Sequence, residues 1–295
     1  MKKDLTPPRP LTHWQMPHLQ RCMGVPNLIP ITDPNDLRIV GYAQIRERDL
    51  VGRDGLFVAE GEVVVRALAR ASLTWPVSLL LAEKRVAGLS SMIQALDPEI
   101  PVYVAGQAVM DAVVGFPIHR GVLALGRRRE ILSATRLLAD VPSRAIVLVL
   151  CGITNHDNMG GLFRNAAAFG VNAVLVDADC CDPLYRKAIR VSVGAVLNVP
   201  FARLRRDEDV MAHLTLGRIE PLALSPAGGV ELSRLRPQMR SAVLLGAEGP
   251  GLPQALLDQA TTLRIPMAPG FDSLNVATTA GIVLHHLKYG AAEAV

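Results

Sequence analysis

The segment Ala-Ile-Val-Leu-Val-Leu-Cys-Gly at 145–152 narrows the possible folds more than any other, because it is apolar without interruption and ends on a glycine. A strand with one wet face alternates apolar and polar residues. One that is apolar throughout has to be covered on both faces, as strands of parallel sheets are. Comparable runs follow: Asn-Ala-Val-Leu-Val-Asp at 172–177, a short strand Val-Leu-Asn-Val-Pro at 196–200, Ile-Glu-Pro-Leu-Ala-Leu-Ser at 219–225, Ser-Ala-Val-Leu-Leu at 241–245 and Thr-Leu-Arg-Ile-Pro-Met at 262–267. Helical patterns lie between them. The first ends on Gly170 in the position just past a helix; another is expected from an Asp182 cap and Pro183 to about Val193, and others around 207–215, from Pro253, and from Ser273 to about Tyr289. Strands alternating with helices define an α/β unit with a mostly parallel sheet, placed at 144–295.

The rest of the 295-residue chain is long enough for a second domain. Residues 1–35 carry Pro7, Pro8, Pro10, Pro17, Pro26, Pro30 and Pro34, a density that disfavours helix and sheet and predicts an extended arm. From 36 to 126 strand-like and helix-like runs alternate (LFVAEG, EVVVRALARA, VSLLLAE, SSMIQAL, PVYVAG, GVLALG), giving a small α/β domain, and the charged stretch 127–143 is read as the connection.

Composition excludes several classes. Apolar residues make up 50% and charged residues 20%, too much core material for a disordered chain. No run approaches the roughly 20 apolar residues of a membrane helix, and the N-terminus lacks the apolar segment of a secretory signal. Cys22, Cys151, Cys180 and Cys181 have neither zinc-site nor disulfide-framework spacing, so a soluble, cytoplasmic protein without metal is expected. A net charge of +4 permits a nucleic-acid partner without requiring one.

Ligands of parallel α/β sheets bind at the carboxyl ends of the strands, so the loops there carry the functional reading. In the first, Asn155-His156-Asp157-Asn158 leads into a helix holding Arg164; Asn158 reads as a cap and Arg164 as a surface charge when taken alone. The second, Leu245-Gly246-Ala247-Glu248-Gly249-Pro250-Gly251, brings three glycines to a helix start. It lets a main chain approach a ligand, yet matches neither the P-loop nor the dinucleotide fingerprint. In the third, Ile265 to Ala277, Ser273 is the expected cap, with Asn275 in the first helical turn. His156 is read as a solvated loop residue, and the pairs Cys180-Cys181 and His285-His286 as packing or helix-surface residues, since a metal site needs more ligands at defined spacing.

Taken together, Asn158-Met159-Gly160-Gly161-Leu162-Phe163-Arg164-Asn165-Ala166, Gly246-Ala247-Glu248-Gly249-Pro250-Gly251-Leu252, and Ile265-Pro266-Met267 through Ser273-Leu274-Asn275-Val276-Ala277 resemble the three motifs of the SpoU-type (TrmH-like) branch of the SPOUT RNA methyltransferases. The earlier half resembles the small ribosomal-protein-like substrate-binding domain often found ahead of that fold, through Phe57 to Gly61 and His119 to Ala124. The resemblance implies a C-terminal domain tied in a trefoil knot, S-adenosylmethionine as cofactor, methylation of a ribose 2′-hydroxyl in RNA, with ribosomal RNA preferred over transfer RNA, and a homodimer with cofactor sites at its interface. A catalytically silent RNA-binding protein and a thiostrepton-resistance-type ribosomal RNA methyltransferase are the alternatives.

It further implies that Leu245, Gly246, Glu248, Gly249, Ile265, Met267 and Leu274 hold the cofactor, and that Asn158, Arg164, Glu248, Ser273 and Asn275 serve catalysis. Arg164 is read as a phosphate or ribose clamp, because a guanidinium stays protonated and cannot act as base. Asn158 and Asn275 are expected to fix the loops and Arg164, Ser273 to touch the ribose, and Glu248 to hold Arg164 or the hydroxyl. Arg127 to Arg129, Arg203, Arg205, Arg206, Arg234, Arg236 and Arg240 are candidate contacts to the RNA backbone.

Overall fold

In strand β6, Ala145–Leu150, successive side chains enter different apolar clusters: Val147 and Val149 pack in one, Leu148 and Leu150 in the other. All four are fully buried, so both faces of the strand are covered, as the uninterrupted run requires. This computed structural model describes residues 28–43, 55–130, 132–236, 238–271 and 273–290.

Around β6 stand β7 (Ala173–Val176), β8 (Phe201–Arg203), β9 (Glu220–Leu224), β10 (Val230–Glu231), β11 (Arg240–Leu245) and β12 (Thr261–Arg264). They form a seven-stranded sheet in the order β10-β12-β9-β11-β6-β7-β8, with every pairing parallel. The first sheet comprises β1 (Leu28–Ile31), β2 (Leu56–Glu60), β3 (Thr74–Ala82), β4 (Val102–Ala105) and β5 (Val122–Arg128), in the order β1-β4-β3-β5-β2, and mixes parallel with antiparallel pairs. Helices α1 (Glu62–Ala69), α2 (Glu83–Gln94) and α3 (Gln107–Val114) follow its strands. The second sheet carries α4 (Ala134–Ala139), α5 (His156–Phe169), α6 (Arg186–Val191), α7 (Val210–Leu216), α8 (Gln254–Leu257) and α9 (Val276–Tyr289).

Several sequence expectations need correction. The proline-rich arm does not extend to residue 35: Leu28–Ile31 pairs with β4, and Pro30 is accommodated because β1 is an edge strand. Residues 1–27 lie outside the described residues. The stretch 127–143 is no bare connection, since it completes β5 and supplies α4, whose Leu137 and Leu138 pack on the second sheet. Val-Leu-Asn-Val-Pro is not a strand: Ala195–Leu197 is a 3-10 turn, and β8 starts after the proline. Asp182 accepts the N–H of Leu184 (2.8 Å) in a turn, which delays α6 to Arg186.

The two sheets share one apolar cluster, in which Phe57, Val64 and Leu68 join Val196, Leu197 and Phe201. Arg128 reinforces this junction. Its guanidinium lies 4.0 Å over the Phe201 ring and donates to the Phe201 carbonyl at 3.0 Å, and burial lowers its pKa. Arg128→Ala is expected to cost about 1–3 kcal/mol in urea unfolding through the lost ring contact and orphaned carbonyl.

Candidate functional site

Because every strand of the second sheet runs the same way, the loops after β6, β9, β11 and β12 meet at one end. Residue 155 begins the construction. Asn155 caps α5 by accepting the N–H groups of Asp157 (2.8 Å) and Asn158 (3.4 Å). Asn158 is therefore not the cap; it turns inward and is 6% exposed.

Its amide joins the other two loops. Nδ2 of Asn158 donates to Glu248 Oε1 at 2.5 Å, and Oδ1 of Asn158 accepts from Asn275 Nδ2 at 2.8 Å. Asn275 in turn caps α9, taking the N–H groups of Ala277 (2.9 Å) and Thr278 (3.3 Å) on its Oδ1. Polarity runs one way through this chain: a carboxylate only accepts, so Asn158 must show it the amino group and offer its oxygen to Asn275. The cap expected of Ser273 thus belongs to Asn275. Glu248 was expected to hold Arg164 or the hydroxyl; here its Oε1 takes Asn158, and Arg164 has no hydrogen bond or ion pair with it. Asn158→Ala removes both links and is expected to cost about 1–3 kcal/mol in denaturant unfolding; Asn158→Asp costs more, since it sets a second carboxylate against Glu248.

Beside this ladder opens a cavity of about 450 Å³. All seven residues expected to hold a cofactor line it (Leu245, Gly246, Glu248, Gly249, Ile265, Met267 and Leu274), together with Ser273 and Asn275. Its floor is main chain. The N–H of Gly251 donates to the Ala247 carbonyl at 3.0 Å, Gly249 adopts φ +89°, and a Cβ on Gly246 would overlap the backbone of Gly251 and Leu252. Sequence reasoning missed Leu224, Ser225, Pro226 and Thr279, which also line the cavity. Leu224 ends β9 and Ser225 and Pro226 begin the loop after it, and only the placement of β9 between β11 and β12 brings them here.

Arg164 lies outside this cavity. It is exposed on α5 and has no hydrogen bond or ion pair among the described residues. The helix turns it between Gly160, which packs on Val191 and Ala188 of α6, and Gly161 with Asn165, which pack on α9. Asn165, given no role from the sequence, donates to the Ala277 carbonyl at 2.6 Å and ties the two helices together.

His156 is not a solvated loop residue. It begins α5 and stacks on Tyr185 with ring centroids 4.0 Å apart; burial, then Lys187, lowers its pKa. Burial raises the thiol of Cys151 to about 12 and that of Cys181 to about 11, and raises Cys180 as well, so all three stay protonated at neutral pH. Among the described residues no three His, Cys, Asp or Glu side chains come together as metal ligands, and no helix is long and apolar enough to cross a membrane. Of the candidate RNA-contacting arginines, three are structural. Arg128 sits at the sheet junction, Arg203 donates to the carbonyls of Asp177, Ala178, Cys180 and Cys181, and Arg240 donates to those of Val141, Pro142 and Gly217. Arg127, Arg129, Arg205, Arg206, Arg234 and Arg236 are exposed.

A parallel sheet with a glycine-floored, largely apolar cleft at its carboxyl end defines an α/β enzyme that binds a nucleoside-sized ligand. Residues 145–285 match the model of the SpoU rRNA Methylase family. An uncharacterised tRNA/rRNA methyltransferase of Mycobacterium bovis is 37% identical over 277 residues, covering 90% of this chain and 94% of that protein. The 23S rRNA (guanosine-2′-O-)-methyltransferase RlmB of Salmonella typhi is 29% identical over 222 residues, 74% of this chain and 91% of its own. The crystal structure of an RNA 2′-O ribose methyltransferase superposes with a TM-score of 0.70 at 26% identity, covering 88% of this chain and 97% of that one. An AdoMet-bound rRNA methyltransferase from Sinorhizobium meliloti shares the fold with a TM-score of 0.75 at 20% identity, covering 90% and 98%. The chain belongs to the SpoU rRNA methylase family of RNA methyltransferases.

Proposed function

We propose that this protein methylates a ribose 2′-hydroxyl of ribosomal RNA in the cytoplasm, using S-adenosylmethionine. The observation that carries the reading is the cleft beside the Asn275–Asn158–Glu248 ladder. Its volume and its apolar walls of Leu245, Ile265 and Leu274 suit an adenosyl group, and the main chain of Gly246 to Gly251 offers the polar partners such a group needs. The bound cofactor supplies a sulfonium methyl that an oxygen nucleophile takes in line.

The chain supplies orientation. Glu248, held by Asn158, and the cap of Asn275 fix two walls of the cleft relative to each other. Ser273, which is exposed and lines the cleft, is the residue this reading assigns to the ribose. Arg164 clamps the nucleotide through its planar fork, which stays charged and takes no proton. The protein works as a homodimer in this reading; what supports it is that Arg164 is exposed, lies outside its own chain's cleft and has no partner among the described residues, as a side chain that completes the cleft of a second copy would be. The segment from β11 to α9 is knotted in this reading. Its support is that β12 crosses to the far side of β9 while the loops after β11 and β12 line one cleft. Arg127 and Arg236 are exposed to follow the RNA backbone, whereas Arg205, Arg206 and Arg234 would first exchange surface ion pairs with Asp207 and Glu208, Asp179 and Glu231, and Arg129 lies over Trp75.

The test is transfer of tritium from labelled S-adenosylmethionine to ribosomal and transfer RNA of cells lacking the gene, followed by nuclease mapping. The expected result is one 2′-O-methyl nucleotide in ribosomal RNA. Label on a base, or none on naked RNA or assembling ribosomal particles, would overturn the reading.

A further inference from the structure

At the opposite end of the second sheet, where β6 and β11 begin, a separate cavity of about 120 Å³ opens under the last turn of α9. The rise along β6 puts it about 17 Å from the cofactor cleft. Arg144, Asn172, Gln238, Ser241 and Lys288 line it, and among the described residues no carboxylate does. Ser241 is 2% exposed, yet its hydroxyl has no partner among the described residues. A buried hydroxyl in that state is costly unless something binds to it. Asn172 spends its carbonyl oxygen on the N–H of Ile146 (3.0 Å), which leaves the amide's amino group as a donor. Neither Arg144 nor Lys288 has an ion-pair partner among the described residues, and Lys288 Nζ lies beside Gly170 at the end of α5.

Electrostatics decide what such a pocket holds. The C-termini of α5 and α9 face this end of the sheet and together contribute about one negative charge, against two full positive charges from Arg144 and Lys288. The balance, about +1, matches the single charge of a phosphodiester, and the pocket's amino and hydroxyl groups donate to its oxygens. We propose that this cavity is a phosphodiester-binding site that takes one backbone phosphate of the RNA, remote from the point of methyl transfer. The occupant rests on the RNA reading above; the pocket does not.

The experiment uses the full chain and compares wild type with Arg144→Ala/Lys288→Ala and with Ser241→Ala. RNA affinity is measured across a salt series, and binding of inorganic phosphate by phosphorus NMR. The double variant is expected to bind RNA about tenfold more weakly, with the slope of log affinity against log salt reduced by about 1, and to stop broadening the phosphate line. S-adenosylmethionine affinity is expected to stay the same. Ser241→Ala leaves the charge untouched and is expected to weaken RNA binding a few-fold. Loss of phosphate binding with unchanged RNA binding would replace the RNA phosphate by a free phosphate anion and overturn the proposed occupant. Unchanged binding of both, or a Ser241→Ala protein that is merely more stable, would overturn the site. Were wild type to transfer no methyl group while the double variant still lost RNA affinity, the methyltransferase reading would fall and this site would stand.

Discussion

Gly246→Ala is expected to weaken S-adenosylmethionine binding at least about 100-fold, or roughly 2.7 kcal/mol, by isothermal calorimetry, with the unfolding midpoint little changed. The added Cβ would occupy the space held by the backbone of Gly251 and Leu252. Main chain cannot swing aside as a side chain does, so the loop has to open, and the bond from the Gly251 N–H to the Ala247 carbonyl goes with it. The strand beneath ends at Leu245 and is spared. Gly249→Ala is the control. It adds strain at φ +89° but meets no atom within 4 Å, so it should cost only about 1 kcal/mol. Binding by Gly246→Ala within threefold of wild type would remove this loop from the cofactor site.

Arg164→Ala is expected to lower turnover about 10²- to 10³-fold while cofactor affinity is kept, because Arg164 lies outside its own chain's cleft. Arg164→Lys should recover little, since an ammonium cannot present the planar fork, and the pH profile should keep its shape because no titrating group is removed. Near-normal turnover in Arg164→Lys would end the clamp assignment. Mixing the two inactive proteins separates the subunits' contributions. If a second copy supplies Arg164, reassociated Gly246→Ala and Arg164→Ala chains hold one intact site in each mixed dimer and recover roughly a quarter of wild-type activity. No recovery would place Arg164 in service of its own cleft.

How far the sequence reveals such a site depends on the physics behind each residue. The buried strands were legible because doubly covered β6, and β11 from Ala242 to Leu245, are apolar without interruption, and the end of α5 because only glycine sits easily at the φ of Gly170. The cavity walls were legible mainly through the family resemblance: the glycine-rich turn pointed to a close main-chain approach, but Ile265, Met267 and Leu274 were assigned only by the matching motifs. Partnerships were not legible. Asn158 looked like a cap because asparagine before a helix usually is one, and only the fold shows Asn155 taking that place. Arg203 and Arg240 looked like RNA contacts because sequence shows charge but not the carbonyls a guanidinium gathers. Ser225 and Pro226 were invisible because sheet order, not chain order, brings them to the cleft.

The apolar cluster common to both sheets has a mechanical meaning. Two units joined by a flexible tether would have to close on an RNA before reaction; two units that share a core cannot hinge without opening it. An RNA resting on the first sheet would meet the methyl-transfer cleft at one preset separation, as in the jaws of a locked caliper. Which nucleotide is modified then becomes a question of reach: the RNA fold that spans the gap is selected, and one too short or too long is passed over.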